Sequence, residues 1–211
     1  MKNNLMLSLK SGVGKSTSLL QYLFENRKNY NSISGYTTRR VYKDNKVYGY
    51  ILIEINKALD LYFCNHSSDS ILKCNYNEIV IDEVFLKTID DKYLFNQDIF
   101  EKYFLNYIDL NSDLIVIDEI GGKELLNSKI LSALIEIFNS NENLIVVYKL
   151  QKQFNNMLKS SNKLADEILS KRKILEKHLA NFDLITQNNL NEPYLTFEII
   201  GKYLNYGETN D

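Results

Sequence analysis

The sequence predicts an α/β fold in which helices cover a mainly parallel sheet. Short runs of apolar, often β-branched residues alternate with longer stretches of helical pattern, which is typical of parallel strands joined by helices. The run at 114–117 is apolar without a break, as expected for a strand buried on both faces. A glycine-containing loop separates a first strand at 4–9 from a first helix at 15–27. These three observations predict the fold class.

The remaining elements follow the same alternation. Extended segments at 32–41 and 47–55 flank a polar turn and predict an antiparallel hairpin decorating one edge of the core sheet. The pattern then predicts helices at 98–108 and 123–138, a strand at 144–148, a mostly helical stretch at 151–181 with a break near 160–161, a strand at 182–186 and a terminal helix starting at 191–193.

The segment between the hairpin and the helix at 98–108 has a different character. It carries short apolar runs without helical period, so residues 56–92 are interpreted as an insertion of strands and loops. The chain has 211 residues. This length predicts one domain, 1–211, with an insertion at about 56–92.

Composition restricts the possible partners. The net charge is −2 and the isoelectric point about 5.8, so no overall basic field indicates binding to nucleic acid or to an anionic membrane. No apolar stretch approaches the roughly 20 residues that span a bilayer, and a cytoplasmic location is expected. Cys64 and Cys74 fit a reducing compartment. With His66 they offer three soft ligands, whereas structural zinc sites use four, so two buried thiols and a surface histidine are favoured.

The loop after the first strand has the features of a phosphate-binding loop. Its residues are Ser11, Gly12, Val13, Gly14, Lys15, Ser16 and Thr17. Backbone N–H groups and the N-terminal end of the following helix converge where a polyphosphate would lie. In this pattern Lys15 reaches the β- and γ-phosphates and the Ser16 hydroxyl binds Mg²⁺. Leu9 stands where the pattern G-x-x-x-x-G-K-S/T has its first glycine.

Hydrolysis that depends on Mg²⁺ also requires acidic residues at the end of a buried strand. The sequence Ile-Val-Ile-Asp-Glu occurs twice, at 79–83 and at 115–119. The second copy is preferred because its apolar run is longer and a Gly-Gly pair follows it. Asp118 would stay ionised beside Mg²⁺, and Glu119 would hold a water and accept its proton. Alternatively, Glu119 caps the helix that starts near Lys123. Asp82 and Glu83 are interpreted as solvated charges at a strand end.

Three segments resemble the small nucleoside-triphosphatase family first described from thermophiles, also called cancer-related nucleoside-triphosphatases. Residues 12–17 resemble its phosphate loop G-x-P-G-V-G-K-T-T, residues 34–38 and 47–51 resemble its G-F-Y/F-T segment and following R-x-G-F strand, and residues 118–125 resemble its D-E-I-G-K-M-E-L segment. The chain departs from the family at Leu9, at Ser11 in place of proline, and at Tyr148, where the family often has histidine.

The resemblance implies a fold, an activity and a set of roles. The fold is a P-loop NTPase with three α/β/α layers and a mainly parallel central sheet of RecA/ASCE-like order, in which one strand separates the phosphate-loop strand from the Asp-Glu strand. The activity is Mg²⁺-dependent hydrolysis of ATP, GTP and other nucleoside triphosphates to diphosphate and phosphate. The roles fall on Lys15, Ser16, Asp118 and Glu119; Glu124 matches a family position to which no role is assigned.

The positions of the arginines matter for the rate of hydrolysis, because an arginine facing the transferred phosphoryl group accelerates it by about 10³–10⁵-fold. Arg39 and Arg40 follow the 35–38 segment, whose end can reach the site, and Arg172 lies on a late helix, either as part of a lid or on a solvated face. Arg27 lies near the far end of the first helix. The sequence does not choose among the first three.

Two other functions share the phosphate loop. A small-molecule kinase would pass the phosphate to an acceptor, but kinases usually carry arginine-rich lids and this chain has few arginines. A nucleotide-dependent binding module or switch would bind the triphosphate with little turnover. The tyrosine-rich segment 36–50 would then be available to a protein partner.

Overall fold

The computed structural model describes residues 4–65, 72–78, 81–89, 92–139, 143–161, 164–190 and 192–204. The strands in these ranges are β1 Leu5–Ser8, β2 Ile33–Lys43, β3 Lys46–Glu54, β4 Lys73–Asn75, β5 Leu86–Ile89, β6 Lys92–Phe95, β7 Leu114–Ile120, β8 Asn143–Tyr148 and β9 Asp183–Thr186. The α-helices in the same ranges are α1 Lys15–Asn26, α2 Ile55–Asn65, α3 Gln97–Tyr107, α4 Ser128–Asn139, α5 Gln151–Ser161, α6 Ala165–His178 and α7 Phe197–Leu204. None of these helices is long and apolar enough to cross a bilayer.

The strands form one mixed sheet. Its order is β6-β5-β3-β2-β7-β8-β1-β9, and β4 pairs with β2 off this path. Strands β2, β7, β8, β1 and β9 run parallel to their neighbours in that series, whereas β3, β5 and β6 extend the sheet with antiparallel pairing. A mainly parallel arrangement therefore describes these five strands and not the whole sheet. Strand β8 lies between β1 and β7, so one strand separates the phosphate-loop strand from the Asp-Glu strand.

Helices cover both faces of the sheet. On one face α1, α2 and α7 pack on a core that includes Leu7 and Val116, and on the other α3, α4 and α6 pack on a core that includes Ile117 and Val146. Successive side chains of β7 thus alternate between two buried cores. This explains why its sequence is apolar without interruption.

The predicted hairpin forms, but β2 is an interior strand. Its turn is Asp44-Asn45, with φ of 51° and 62°, the left-handed pair that a two-residue hairpin needs. The first half of β2 pairs with β7 and the second half continues past it, paired with β3. At Gly35, with φ of 114°, a Cβ atom would lie 1.9 Å from the carbonyl oxygen of Val116. This glycine lets β2 and β7 approach. The hairpin was predicted to decorate one edge of the core sheet; it is antiparallel as predicted, but its first strand also belongs to the parallel series, and β5 and β6 continue the sheet beyond β3.

Three other predictions needed correction. Residues 56–65 are helical and do not form strands and loops, and the buried residues Ile55, Ala58 and Leu59 follow the spacing of one helix face. The helix predicted at 123–138 begins at Ser128, because Asn127 accepts hydrogen bonds from the N–H groups of Lys129 and Ile130 and caps it. The terminal helix begins at Phe197 and not at 191–193.

Candidate active site

The phosphate loop connects β1 to α1 at the carboxyl end of the parallel strands. Gly12 and Gly14 have φ of 85° and 88°, which a side chain would strain. Ser11 and Gly12 form an exposed turn, whereas Val13 is buried, and Lys15, Ser16 and Thr17 form the first turn of α1. Two hydrogen bonds of Leu195 hold the loop in place: Leu195 donates its N–H to the Val13 carbonyl at 3.0 Å, and its carbonyl accepts a hydrogen bond from the Ser18 hydroxyl at 2.7 Å.

Leu9 fits this loop without a left-handed backbone. In the described ranges the non-glycine residues with positive φ are Asp44 and Asn45, so Leu9 is not among them. Its side chain is fully buried in the core under α1, and its carbonyl accepts a hydrogen bond from the Lys15 ammonium at 3.1 Å. The left-handed backbone conformations of the loop therefore occur at Gly12 and Gly14.

Asp118 connects the acidic segment to the phosphate loop. Its side chain is only 2% exposed. The Thr37 hydroxyl donates to its Oδ2 at 2.7 Å. Burial raises the pKa of Asp118, and the neighbouring hydroxyls of Ser16 and Thr37 oppose that rise. The Thr38 hydroxyl holds the Asp118 carbonyl at 2.8 Å, so β2 fixes both ends of this residue.

The pKa of Lys15 depends on its burial and on the charges around the phosphate loop. Burial is the largest effect on its pKa and lowers it, while the carboxylates of Glu119 and Asp118 oppose that change. The cations of Lys149 and Arg40 lower the pKa further. The structure therefore brings the predicted residues Lys15, Ser16, Asp118 and Glu119 together at one edge of the sheet, and it adds Lys149.

Glu119 forms an ion pair with Lys149, which follows β8 directly. The two side chains are 26% and 25% exposed. Burial opposes the charge on Lys149, but Glu119 and Glu124 outweigh it and the pKa of Lys149 is raised. Glu124 accepts the N–H groups of Gly121 and Gly122 at 2.6 and 2.5 Å. The turn after β7 is therefore capped by Glu124, not by Glu119 as the alternative interpretation had it.

A family model described as NTPase matches residues 4–180. The chain belongs to this NTPase family. Among solved structures, the solution structure of a human cancer-related nucleoside triphosphatase matches with 12% identity and a TM-score of 0.56, covering 99% of this chain and 98% of that one. At this identity the likeness shows the fold alone. No curated protein sequence matches the chain. Family membership supports nucleoside-triphosphate hydrolysis in general, as the resemblance implied.

The arginines of this NTPase-family chain separate clearly. Arg27 pairs with Asp60 at 3.0 Å, and Arg39 donates to the Lys73 carbonyl at 3.1 Å. Arg40 is exposed and acts electrostatically on Lys15. Of the three predicted candidates, Arg40 is the one that lowers the pKa of Lys15 electrostatically.

Arg172 has a different position. It is 3% exposed, and its guanidinium lies against the rings of Tyr148 and Phe154 at 4.3 and 4.1 Å. It donates to the carbonyls of Gly121 and Lys149 at 2.9 and 2.8 Å and to the Glu176 carboxylate at 2.9 Å. Every nitrogen of the guanidinium is engaged within the protein, which argues against a role as a transition-state arginine or as part of a lid.

The first copy of the acidic sequence lies elsewhere. Residues 79 and 80 lie outside the described residues, and Ile81–Glu83 form a short 3-10 helix and not a strand end. Asp82 is exposed. Burial raises the pKa of Tyr103 on α3, and the neighbouring carboxylate of Glu83 raises it further. The preference for the second copy agrees with this placement.

The sequence contains two candidate metal sites. His66 and the side chain of Cys64 lie outside the described residues, and within the described part no group of three His, Cys, Asp or Glu side chains is found. The Ser16 hydroxyl lies beside the Asp118 carboxylate. They are hard oxygen ligands of the kind Mg²⁺ prefers, and Mg²⁺ usually takes only one or two protein ligands together with substrate phosphates. This donor set fits Mg²⁺.

Sequence reasoning missed Lys149, Thr37 and the hydrogen bonds of Leu195. Lys149 does carry a signal, since it is a charged residue directly after a buried strand next to the phosphate-loop strand. Thr37 lies in segment 34–38, which resembles the family, but its contact with Asp118 follows from strand pairing. Leu195 carries no signal, because its contact with Ser18 joins residues that lie 177 positions apart.

Proposed function

We propose that the chain is a single-domain, Mg²⁺-dependent nucleoside-triphosphatase that hydrolyses ATP, GTP and other nucleoside triphosphates to diphosphate and phosphate. The observation that supports it most is the position of the Ser16 hydroxyl of the phosphate loop beside the buried carboxylate of Asp118. This proximity brings the phosphate loop to the strand end that carries Glu119. Membership in the NTPase family supports nucleoside-triphosphate hydrolysis as the reaction, and the structural match supports the fold.

The phosphate loop would bind the triphosphate through backbone N–H groups around Gly12 to Ser16 and through the N-terminal end of α1. The Lys15 ammonium, which donates to the carbonyls of Leu9 and Lys10, would turn to the β- and γ-phosphates. Ser16 and Asp118 would hold Mg²⁺. Bound there, the ion would neutralise charge on the β- and γ-phosphate oxygens during transfer.

Glu119 would hold a water in line with the γ-phosphorus and accept its proton. A bond forms between the water oxygen and the γ-phosphorus as the bond to the β,γ-bridging oxygen breaks. The proton then passes from the Glu119 carboxyl group to the departing phosphate or to solvent. Arg40, which is exposed and acts electrostatically on Lys15, would be the arginine to approach the transferred group.

The first test measures phosphate release from Mg²⁺-ATP and Mg²⁺-GTP. The native chain should hydrolyse both, and EDTA should stop the reaction. Lys15→Ala should lower the rate by at least about a hundredfold, because it removes a cation that follows the charge of the phosphates into the transition state.

The matched control is Lys28→Ala, since Lys28 is exposed in the turn at the opposite end of α1. It should hydrolyse at the native rate. Equal rates for Lys15→Ala and the native chain would contradict the proposal, as would tight nucleotide binding with no release of phosphate. Phosphate appearing on an added metabolite would instead indicate a kinase.

A further inference from the structure

Lys149 occupies a defined place between the two motifs. It follows β8, which lies between β1 and β7. Lys149 therefore lies at the end of the strand that separates the phosphate-loop strand from the strand carrying Asp118 and Glu119. Parallel strands end at the same edge of the sheet, so all three strand ends meet there.

The backbone of Lys149 is held firmly. Its N–H donates to the carbonyl of Ile120 at 2.8 Å, and its own carbonyl accepts a hydrogen bond from Arg172 at 2.8 Å. The side chain is still 25% exposed. A fixed backbone with a partly open side chain lets the ammonium change partners without moving the strand.

The charges around Lys149 define what it can bind. Its direct partner is the carboxylate of Glu119. The charges of Glu124 and Arg172 also affect the pKa of Lys149, and Lys149 in turn affects the pKa of Lys15. An incoming triphosphate carries more negative charge than one carboxylate and would approach the same edge. It would therefore compete with Glu119 for this ammonium.

We propose that Lys149 is a further catalytic residue, which gives up its ion pair with Glu119 to bind the γ-phosphate of the nucleoside triphosphate. The proposal rests on the proposed function and adds a step to it. Lys149 would stabilise charge on the transferred phosphoryl group. The released carboxylate of Glu119 would become free to accept the water proton only when a γ-phosphate is present. A diphosphate would leave the ion pair closed.

Binding tests the contact without requiring turnover. Affinities for the β,γ-imido analogue of ATP and for ADP, both with Mg²⁺, are measured by calorimetry for the native chain and for Lys149→Met. We expect the variant to bind the triphosphate analogue about 10- to 100-fold more weakly, the usual effect of losing a hydrogen bond to a charged group. Its affinity for ADP should not change.

Two further variants complete the binding test. Lys149→Arg keeps the charge and should retain much of the preference for the triphosphate. Lys129→Met is the matched control, because Lys129 forms a Lys–Glu pair with Glu101 on the surface at 2.7 Å. It should bind both nucleotides like the native chain. Circular dichroism melts confirm that each variant is folded, and Lys149→Gln replaces Lys149→Met if the latter unfolds.

The kinetic readout separates catalysis from positioning. Lys149→Met should lower kcat by about 10²-fold, as for loss of one donor to a developing negative charge. Unchanged triphosphate affinity, or an equal loss for triphosphate and diphosphate, would overturn the proposal. Failure of the native chain to release phosphate would instead overturn the proposed function, and the difference between the two affinities would still report on Lys149.

Discussion

Glu119→Gln should lower kcat for nucleoside-triphosphate hydrolysis by about 10²–10⁴-fold, the usual contribution of a general base. The amide keeps the size of the side chain but cannot accept a proton at neutral pH. Single-turnover phosphate release from Mg²⁺-ATP measures the effect. Binding of the triphosphate should persist, because Asp118, Ser16 and the loop amides are untouched.

The chain contains its own control for this variant. Glu83 ends the identical sequence Ile-Val-Ile-Asp-Glu, but it lies in a 3-10 helix beside Tyr103. Glu83→Gln should hydrolyse at the native rate. A Glu119→Gln variant that turns over as fast as Glu83→Gln would remove Glu119 from the mechanism and leave the proton without an acceptor.

Arg172→Met should destabilise the fold by about 3–5 kcal/mol, the usual effect of removing one partner from a buried charged network. For a chain of this size that corresponds to a fall in Tm of roughly 6–20 °C. The variant removes the Arg172 donor from the carbonyls of Gly121 and Lys149, and it leaves the Glu176 carboxylate with the Tyr148 hydroxyl as its remaining donor. Those carbonyls belong to the turns that follow β7 and β8, so the positions of Glu119 and Lys149 should loosen as well.

Thermal and urea unfolding measure this effect. Lys173→Met is the control, because Lys173 is the exposed neighbour of Arg172 on α6 and should unfold at the native temperature. Equal Tm values for the two variants would contradict the structural role of Arg172. Loss of activity with unchanged stability would instead restore it as a candidate transition-state residue.

The phosphate loop and the acidic strand could be predicted because their information is local. A strand, a loop with Gly12 and Gly14 and a helix follow one another within a short segment, and the second Ile-Val-Ile-Asp-Glu sequence has a longer apolar run than the first. The duplication was resolved from flanking residues alone. The antiparallel extension of the sheet beyond the hairpin could not be predicted, since strand order depends on pairing between distant segments.

The charged contacts depend on three-dimensional neighbours. Glu119 lies in β7 and Lys149 follows β8, so α4 and β8 separate them along the chain and no motif joins them. Arg172 lies within Lys171-Arg172-Lys173, a pattern that usually marks a solvated helix face. It is buried because it stacks on Tyr148 and Phe154 and because carbonyls accept its N–H groups. Helix α2, by contrast, could have been predicted, because its apolar residues follow helical spacing in the sequence.

A structure of the chain with Mg²⁺ and the β,γ-imido analogue of ATP tests the central claim most directly. The account predicts the triphosphate on the N–H groups of residues 12–16, the metal between Ser16 and Asp118, and the Glu119 carboxylate facing the γ-phosphorus. A triphosphate bound elsewhere on the sheet, with the acidic pair turned away from it, would contradict the account.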